Sequence, residues 1–138
     1  MPWTCPECKR SFKNKNQDHS CVVIKIDAHF IDKSTTSKYL YDHLIKQVRD
    51  FGEVKVSAVV NAIICSTKST FLVIKPKKNW IDIEFLLDEM IEEFPVYKTG
   101  KASSKRFAHF VRIENVNEID EQLLGWLKRS YRLISELK

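Results

Sequence analysis

Cys5, Cys8, His19 and Cys21 fall in the pattern C-x2-C-x10-H-x-C. Three thiols and an imidazole are a complete donor set for tetrahedral zinc, and a closed set of four leaves no position for a reactive water. The expected chemistry is therefore one structural Zn2+ per chain rather than a metal-activated nucleophile. Pro6 stiffens the turn from Cys5 to Cys8 by fixing its own φ. Lys9 stands where such a turn often needs a left-handed residue, at a cost of about 1 kcal/mol. Zinc binding, worth about 10–16 kcal/mol in small finger peptides, outweighs that cost. On a helix His19 and Cys21 would point about 200° apart, so any helix over Lys13–Asp18 has to end near His19. Trp3 and Phe12 flank the turn as the aromatics a minimal metal-nucleated core needs. Two other uses of the thiols stay open. A disulfide framework does not require His19, and a redox Cys-x-x-Cys normally follows a strand and opens a helix. His29, with seven residues between it and Cys21, is a weaker substitute for His19.

Elsewhere the reactive residue types are sparse. Asp82 and Glu84 lie on one face of a strand pattern, with Lys75, Lys77 and Lys78 close by. Acids and lysines on a sheet can hold a divalent metal and cut phosphodiesters. Glu84-Phe85-Leu86, however, lacks the lysine of a Glu-x-Lys site, and alternating charges usually line a solvated face. His109 shares its parity with Phe107 and Val111 and has no nucleophile to serve, so a core or sheet-face role is expected. His43 falls on a helix flank, and Cys65 reads as a small buried apolar group. The sequence has no glycine-rich phosphate loop, nucleophile elbow or dinucleotide fingerprint.

The chain has 138 residues, enough for one ordinary domain and a small appendage, and its 43% hydrophobic and 30% charged content suits a soluble globular protein. No apolar stretch is long enough to span a bilayer and no leader is evident, so a cytoplasmic protein with reduced thiols is expected and a membrane partner is not. The net charge of +5 permits a polyanionic partner. The bases are unevenly spread. Lys9, Arg10, Lys13 and Lys15 crowd the metal stretch, Lys75, Lys77 and Lys78 precede Trp80, and Lys98, Lys101, Lys105 and Arg106 crowd one loop. Asp88, Glu89, Glu92 and Glu93 form an opposing acid block. Basic clusters interleaved with aromatics suit phosphate contact and base stacking, although a merely solvated surface has the same composition.

The elements that would position these groups are legible in the periodicity. Ser34-Thr35-Thr36-Ser37 supplies helix caps, Leu40, Leu44, Val48 and Phe51 recur at helical spacing, and Gly52 sits where a left-handed C-terminal cap belongs. The period then becomes two. Strands are predicted over Glu53–Ala58, Val59–Ser66, Thr70–Pro76, Trp80–Leu87 and Phe107–Ile113, joined by short polar turns that make them antiparallel. Asp88–Phe94 is assigned a helical turn and Lys98–Arg106 a loop. Asn117 is expected to cap a last helix carrying Ile119, Leu123, Leu127, Tyr131 and Ile134 on one stripe. The fold class is α+β: a zinc knuckle over 1–26, then a domain over 27–138 with an antiparallel sheet of about five strands and two helices on one face.

The start, Trp3-Thr-Cys-Pro-x-Cys-x-Arg-x-Phe-x-x-x-Asn-Gln-x-His-Ser-Cys21, resembles an uncharacterised bacterial family, the domain of unknown function 5655. The likeness continues through Phe71, Lys77-Lys78-Asn79, His109 before Val111-Arg112-Ile113, Asp120-Glu121, Leu124-x-Trp126-Leu127 and Ser130-Tyr131-Arg132. Lys9 and Ser69-Thr70 depart from its pattern. The resemblance implies the metal and the fold, and it brings no activity with it. The function expected from the sequence is a non-catalytic, zinc-binding accessory protein that contacts nucleic acid through its basic segments. The alternative is a protein-interaction or small-ligand module that uses the sheet face left open by one-sided helix packing, with an unidentified protein as partner.

Overall fold

The computed structural model describes residues 3–4, 11–12 and 26–136. Strands β1 (Trp3–Thr4) and β2 (Ser11–Phe12) pair antiparallel, Trp3 opposite Phe12. A 3-10 turn, Ile26–Phe30, leads to helix α1, Thr35–Arg49. Six strands follow: β3 (Lys55–Val59), β4 (Ala62–Ser66), β5 (Thr70–Pro76), β6 (Ile81–Leu87), β7 (Val96–Ser103) and β8 (Arg106–Ile113). Helix α2, Glu121–Ser135, closes the domain. The sheet is antiparallel throughout, in the order β3-β4-β5-β6-β8-β7. No helix among the described residues is long and apolar enough to cross a membrane.

The main sheet thus has six strands rather than about five. The added one is β7, whose composition predicts mostly loop. Its residues Lys98-Thr-Gly-Lys-Ala-Ser have no apolar alternation because β7 is an edge strand, where lysine and glycine discourage pairing with other chains. Asp88–Phe94 is not a helical turn: it is irregular chain that delivers β6 into β7. The cap of α2 is Asp120, whose Oδ1 accepts the Leu123 N–H at 2.9 Å. Asn117 belongs to a separate 3-10 turn, Val116–Glu118, capped by Asn115.

Both helices bury their stripes against one sheet face. Ile81, Ile83, Phe85 and Leu87 of β6 meet Leu40, Leu44 and Val48 of α1 and Leu123, Trp126 and Leu127 of α2, all buried. Each such side chain contributes about 1.5–3 kcal/mol when fully removed from water. Cys65 lies in this core, and burial pushes its thiol up to about 12, which leaves it protonated and unreactive. Polar ties fix the helices to the sheet. The Ser37 hydroxyl donates to the Lys77 carbonyl at 2.6 Å, and the Ser34 N–H donates to the Lys78 carbonyl at 2.7 Å. The Ser130 hydroxyl donates to the Phe71 carbonyl at 2.9 Å and accepts the Leu86 N–H at 3.1 Å, bridging β5 and β6 where their direct register has ended.

Gly52 has φ +147°, outside the left-handed cap region, and the Tyr131 hydroxyl of α2 packs against its Cα. Any Cβ there would strike that hydroxyl. Gly52→Ala is expected to cost about 1–3 kcal/mol, measured as a lower urea midpoint at unchanged slope. A midpoint equal to the parent's would contradict this account of the turn.

Candidate functional site

Cys5, Cys8, His19 and Cys21, with Lys9, Arg10, Lys13 and Lys15, lie outside the described residues. In sequence, Cys5 and Cys8 fall between the paired strands β1 and β2. Among the described residues no three His, Cys, Asp or Glu side chains are grouped to hold a metal. His29 sits half-buried in the 3-10 turn at Ile26–Phe30, its Nε2 shut away with no hydrogen-bond partner among the described residues.

The remaining basic segments do not converge. Lys77 and Lys78 occupy the turn between β5 and β6, whereas Lys101, Lys105 and Arg106 cluster at the β7–β8 hairpin. In the antiparallel register Ile81 pairs with Ile113 and Leu87 with Phe107, so the two groups lie at opposite ends of β6. That strand is about 20 Å long at the usual rise per residue. A groove of about 690 Å³ also gathers cations, with Arg49, Lys55 and Lys68 on its walls. Arg49 is in the last turn of α1, where a cation complements the negative end of the helix dipole, so a structural explanation suffices for it.

What the fold does bring together is the sheet face turned away from the helices. The register sets Ile64, Val73, Glu84, Phe110 and Lys98 side by side in one row across five strands. The neighbouring row is Lys75, Asp82 and Arg112. A bulge in β7 between Val96 and Lys98 adds one residue to the strand. The bulge explains why consecutive residues, Tyr97 and Lys98, both line the groove over Phe110 instead of pointing to opposite faces. That groove holds about 260 Å³ and is also lined by Lys75, Lys77, Asp82 and Glu84.

The electrostatics of the face are ordered. Arg112 donates from Nε to Asp82 Oδ1 at 3.3 Å, and its guanidinium lies 4.7 Å from the Trp80 ring centre. Asp82 is therefore already neutralised by a partner on the next strand. Lys98 Nζ lies 5.2 Å from the centre of the Phe110 ring. Tyr97 is 56% exposed, and burial of its hydroxyl, helped by the Asp82 carboxylate, raises its pKa above the ordinary value. Glu84 is half-buried, and its carboxylate has no ion pair or hydrogen bond among the described residues.

Phe110 and Tyr97 do not stand out in the sequence. A signal for Phe110 exists: His109, Val111 and Ile113 point to the core, so Phe110 and Arg112 must point away. The bulge that re-aims Tyr97 leaves no such trace. His109 itself is fully buried on the helix side and belongs to the core.

The family model described as Domain of unknown function (DUF5655) matches residues 26–134. No curated protein matches the chain, and no solved structure does.

Proposed function

The chain belongs to the DUF5655 family, and we propose from its open sheet face that it is a non-catalytic accessory protein binding single-stranded nucleic acid. The observation that carries this reading is Phe110, uncovered by either helix and set among Tyr97, Lys98 and Lys75. Aromatic rings on an exposed sheet offer every base a stacking partner, worth about 1–3 kcal/mol per base, while neighbouring ammonium groups meet the phosphates. The row next to it carries no net repulsion from Asp82, since Arg112 is paired with it. In the same reading a structural zinc held by Cys5, Cys8, His19 and Cys21 fixes the N-terminal stretch, with Lys9, Arg10, Lys13 and Lys15 as additional phosphate contacts. The antiparallel pairing of Trp3–Thr4 with Ser11–Phe12 supports this, because it brings together the two ends of the segment that carries Cys5 and Cys8 in the sequence.

Fluorescence anisotropy with labelled single-stranded DNA and RNA tests the proposal. Phe110→Ala is expected to weaken binding about tenfold or more. Lys98→Ala removes one ammonium from the phosphate path and should lower the slope of log affinity against log salt by about 0.7. Absence of binding to either polymer at low salt, or an unchanged affinity in Phe110→Ala, defeats it. Nuclease-resistant co-purification with a protein, together with no oligonucleotide binding, would assign the same face to a protein partner instead.

A further inference from the structure

Glu84 is the anomaly on the open face. Among the described residues its carboxylate has no ion pair or hydrogen bond and is not shut away from water, so it is free to accept from a ligand, whereas its neighbour Asp82, in the same groove, is paired with Arg112. The register places Glu84 directly across from Phe110, so their Cβ atoms are about 5 Å apart. A base stacked on the Phe110 ring would therefore present an edge to the Glu84 carboxylate. Lys98, whose ammonium now lies over the ring, is long enough to move to the phosphate of the same nucleotide.

We propose, resting on the nucleic-acid reading above, that Glu84 is a specificity-determining residue that selects guanine at the base stacked on Phe110. Donor and acceptor matching decides which base fits. An ionised carboxylate only accepts, and its two oxygens accept best from two parallel N–H groups. The Watson–Crick edge of guanine offers two adjacent donors, N1–H and the N2 amine. Cytosine and adenine each offer one amine beside a ring-nitrogen acceptor. Uracil offers one N–H between two carbonyl oxygens, which repel the carboxylate on both sides. The order expected is guanine first, cytosine and adenine next, uracil last. Lys75 and Lys98 on the groove walls offset the repulsion between Glu84 and the nucleotide's own phosphate.

The test uses the full chain and three labelled RNA octamers: all uridine, uridine with two central guanosines, and uridine with two central cytidines. The guanosine octamer is expected to bind about tenfold tighter than the all-uridine one. Glu84→Gln has nearly the same shape but one donor and one acceptor, so it should keep binding and bring the first two octamers within about twofold of each other. Equal binding of all three by the parent protein overturns the inference while leaving the nucleic-acid reading intact. Guanosine preference that survives in Glu84→Gln, with its melting temperature unchanged, overturns it too. Binding of none of the three removes the reading and the inference together.

Discussion

On the proposed ligand set of Cys5, Cys8, His19 and Cys21, replacing Cys8 with serine is expected to take zinc content from one per chain to none. A serine hydroxyl does not replace a thiolate toward zinc, and the three remaining donors lose the closed tetrahedral set that makes a structural site tight. The loss amounts to most of the about 10–16 kcal/mol that such sites contribute, and a peptide of this length has no apolar core to fall back on. The domain beyond it does have one. Among the described residues its buried apolar core runs from Leu40 to Ile134. So Cys8→Ser should leave the far-ultraviolet spectrum of the α+β domain and a cooperative melt in place, while the amide signals of Met1–Cys21 collapse to unfolded positions. Elemental metal analysis and thermal denaturation of the variant decide it. Retained zinc would refute the ligand set. Loss of the cooperative melt would mean that the knuckle packs into the main core and that division into two parts is wrong.

Much of the domain is written in local patterns, and the residues where the pattern fails show why. β6 announces itself, since Ile81, Ile83, Phe85 and Leu87 alternate with Asp82, Glu84 and Leu86 and only one face is buried. β7 is silent because an edge strand needs no apolar face to form: it borrows its register from β8 by backbone pairing, which no side chain of its own records. The caps mislead for a related reason. Asn117 and Asp120 are both good capping residues, and the choice between them depends on how the chain leaves β8 at Ile113, a tertiary matter. The candidate site is harder still. Lys77 and Lys101 look like parts of one basic surface until the antiparallel register puts them at opposite ends of the sheet. Conversely Glu84, Phe110 and Lys98 are far apart in sequence and become neighbours only through the order β6-β8-β7. Positions along one strand are legible, and adjacency between strands is not.

His109 gives the second large effect, and it is one of pH. The Ile91 N–H donates to Nε2 at 2.9 Å, so that nitrogen must carry the lone pair. The proton then sits on Nδ1, which donates to the Phe107 carbonyl at 3.0 Å. The ring is fully buried and stacked 5.5 Å from Phe85. Protonation would put a second hydrogen where the Ile91 N–H already points, and would place a charge in the core. Burial accordingly holds the His109 pKa below its ordinary value; the backbone carbonyls of Phe107 and Phe85 and the Glu89 carboxylate oppose the shift only in part, and Arg129 pushes the same way as burial. Between the unfolded pKa of about 6.5 and the lower folded value, the unfolded chain binds a proton that the native protein refuses. The stability supplied by neutral His109 is complete above that unfolded pKa and drains away as pH falls toward the folded one, by at most about 1.4 kcal/mol per pH unit. His109→Phe fills the volume but strands the Ile91 N–H, so it should lose about 1–3 kcal/mol at pH 7.5 and show a flatter fall between pH 6.5 and 5 than the parent. Urea midpoints across that range, with the ring's own titration followed by NMR, provide the measurement. A histidine that titrates at or above its ordinary value, or a variant with the parent's pH slope, would show that His109 is not the group the fold keeps neutral.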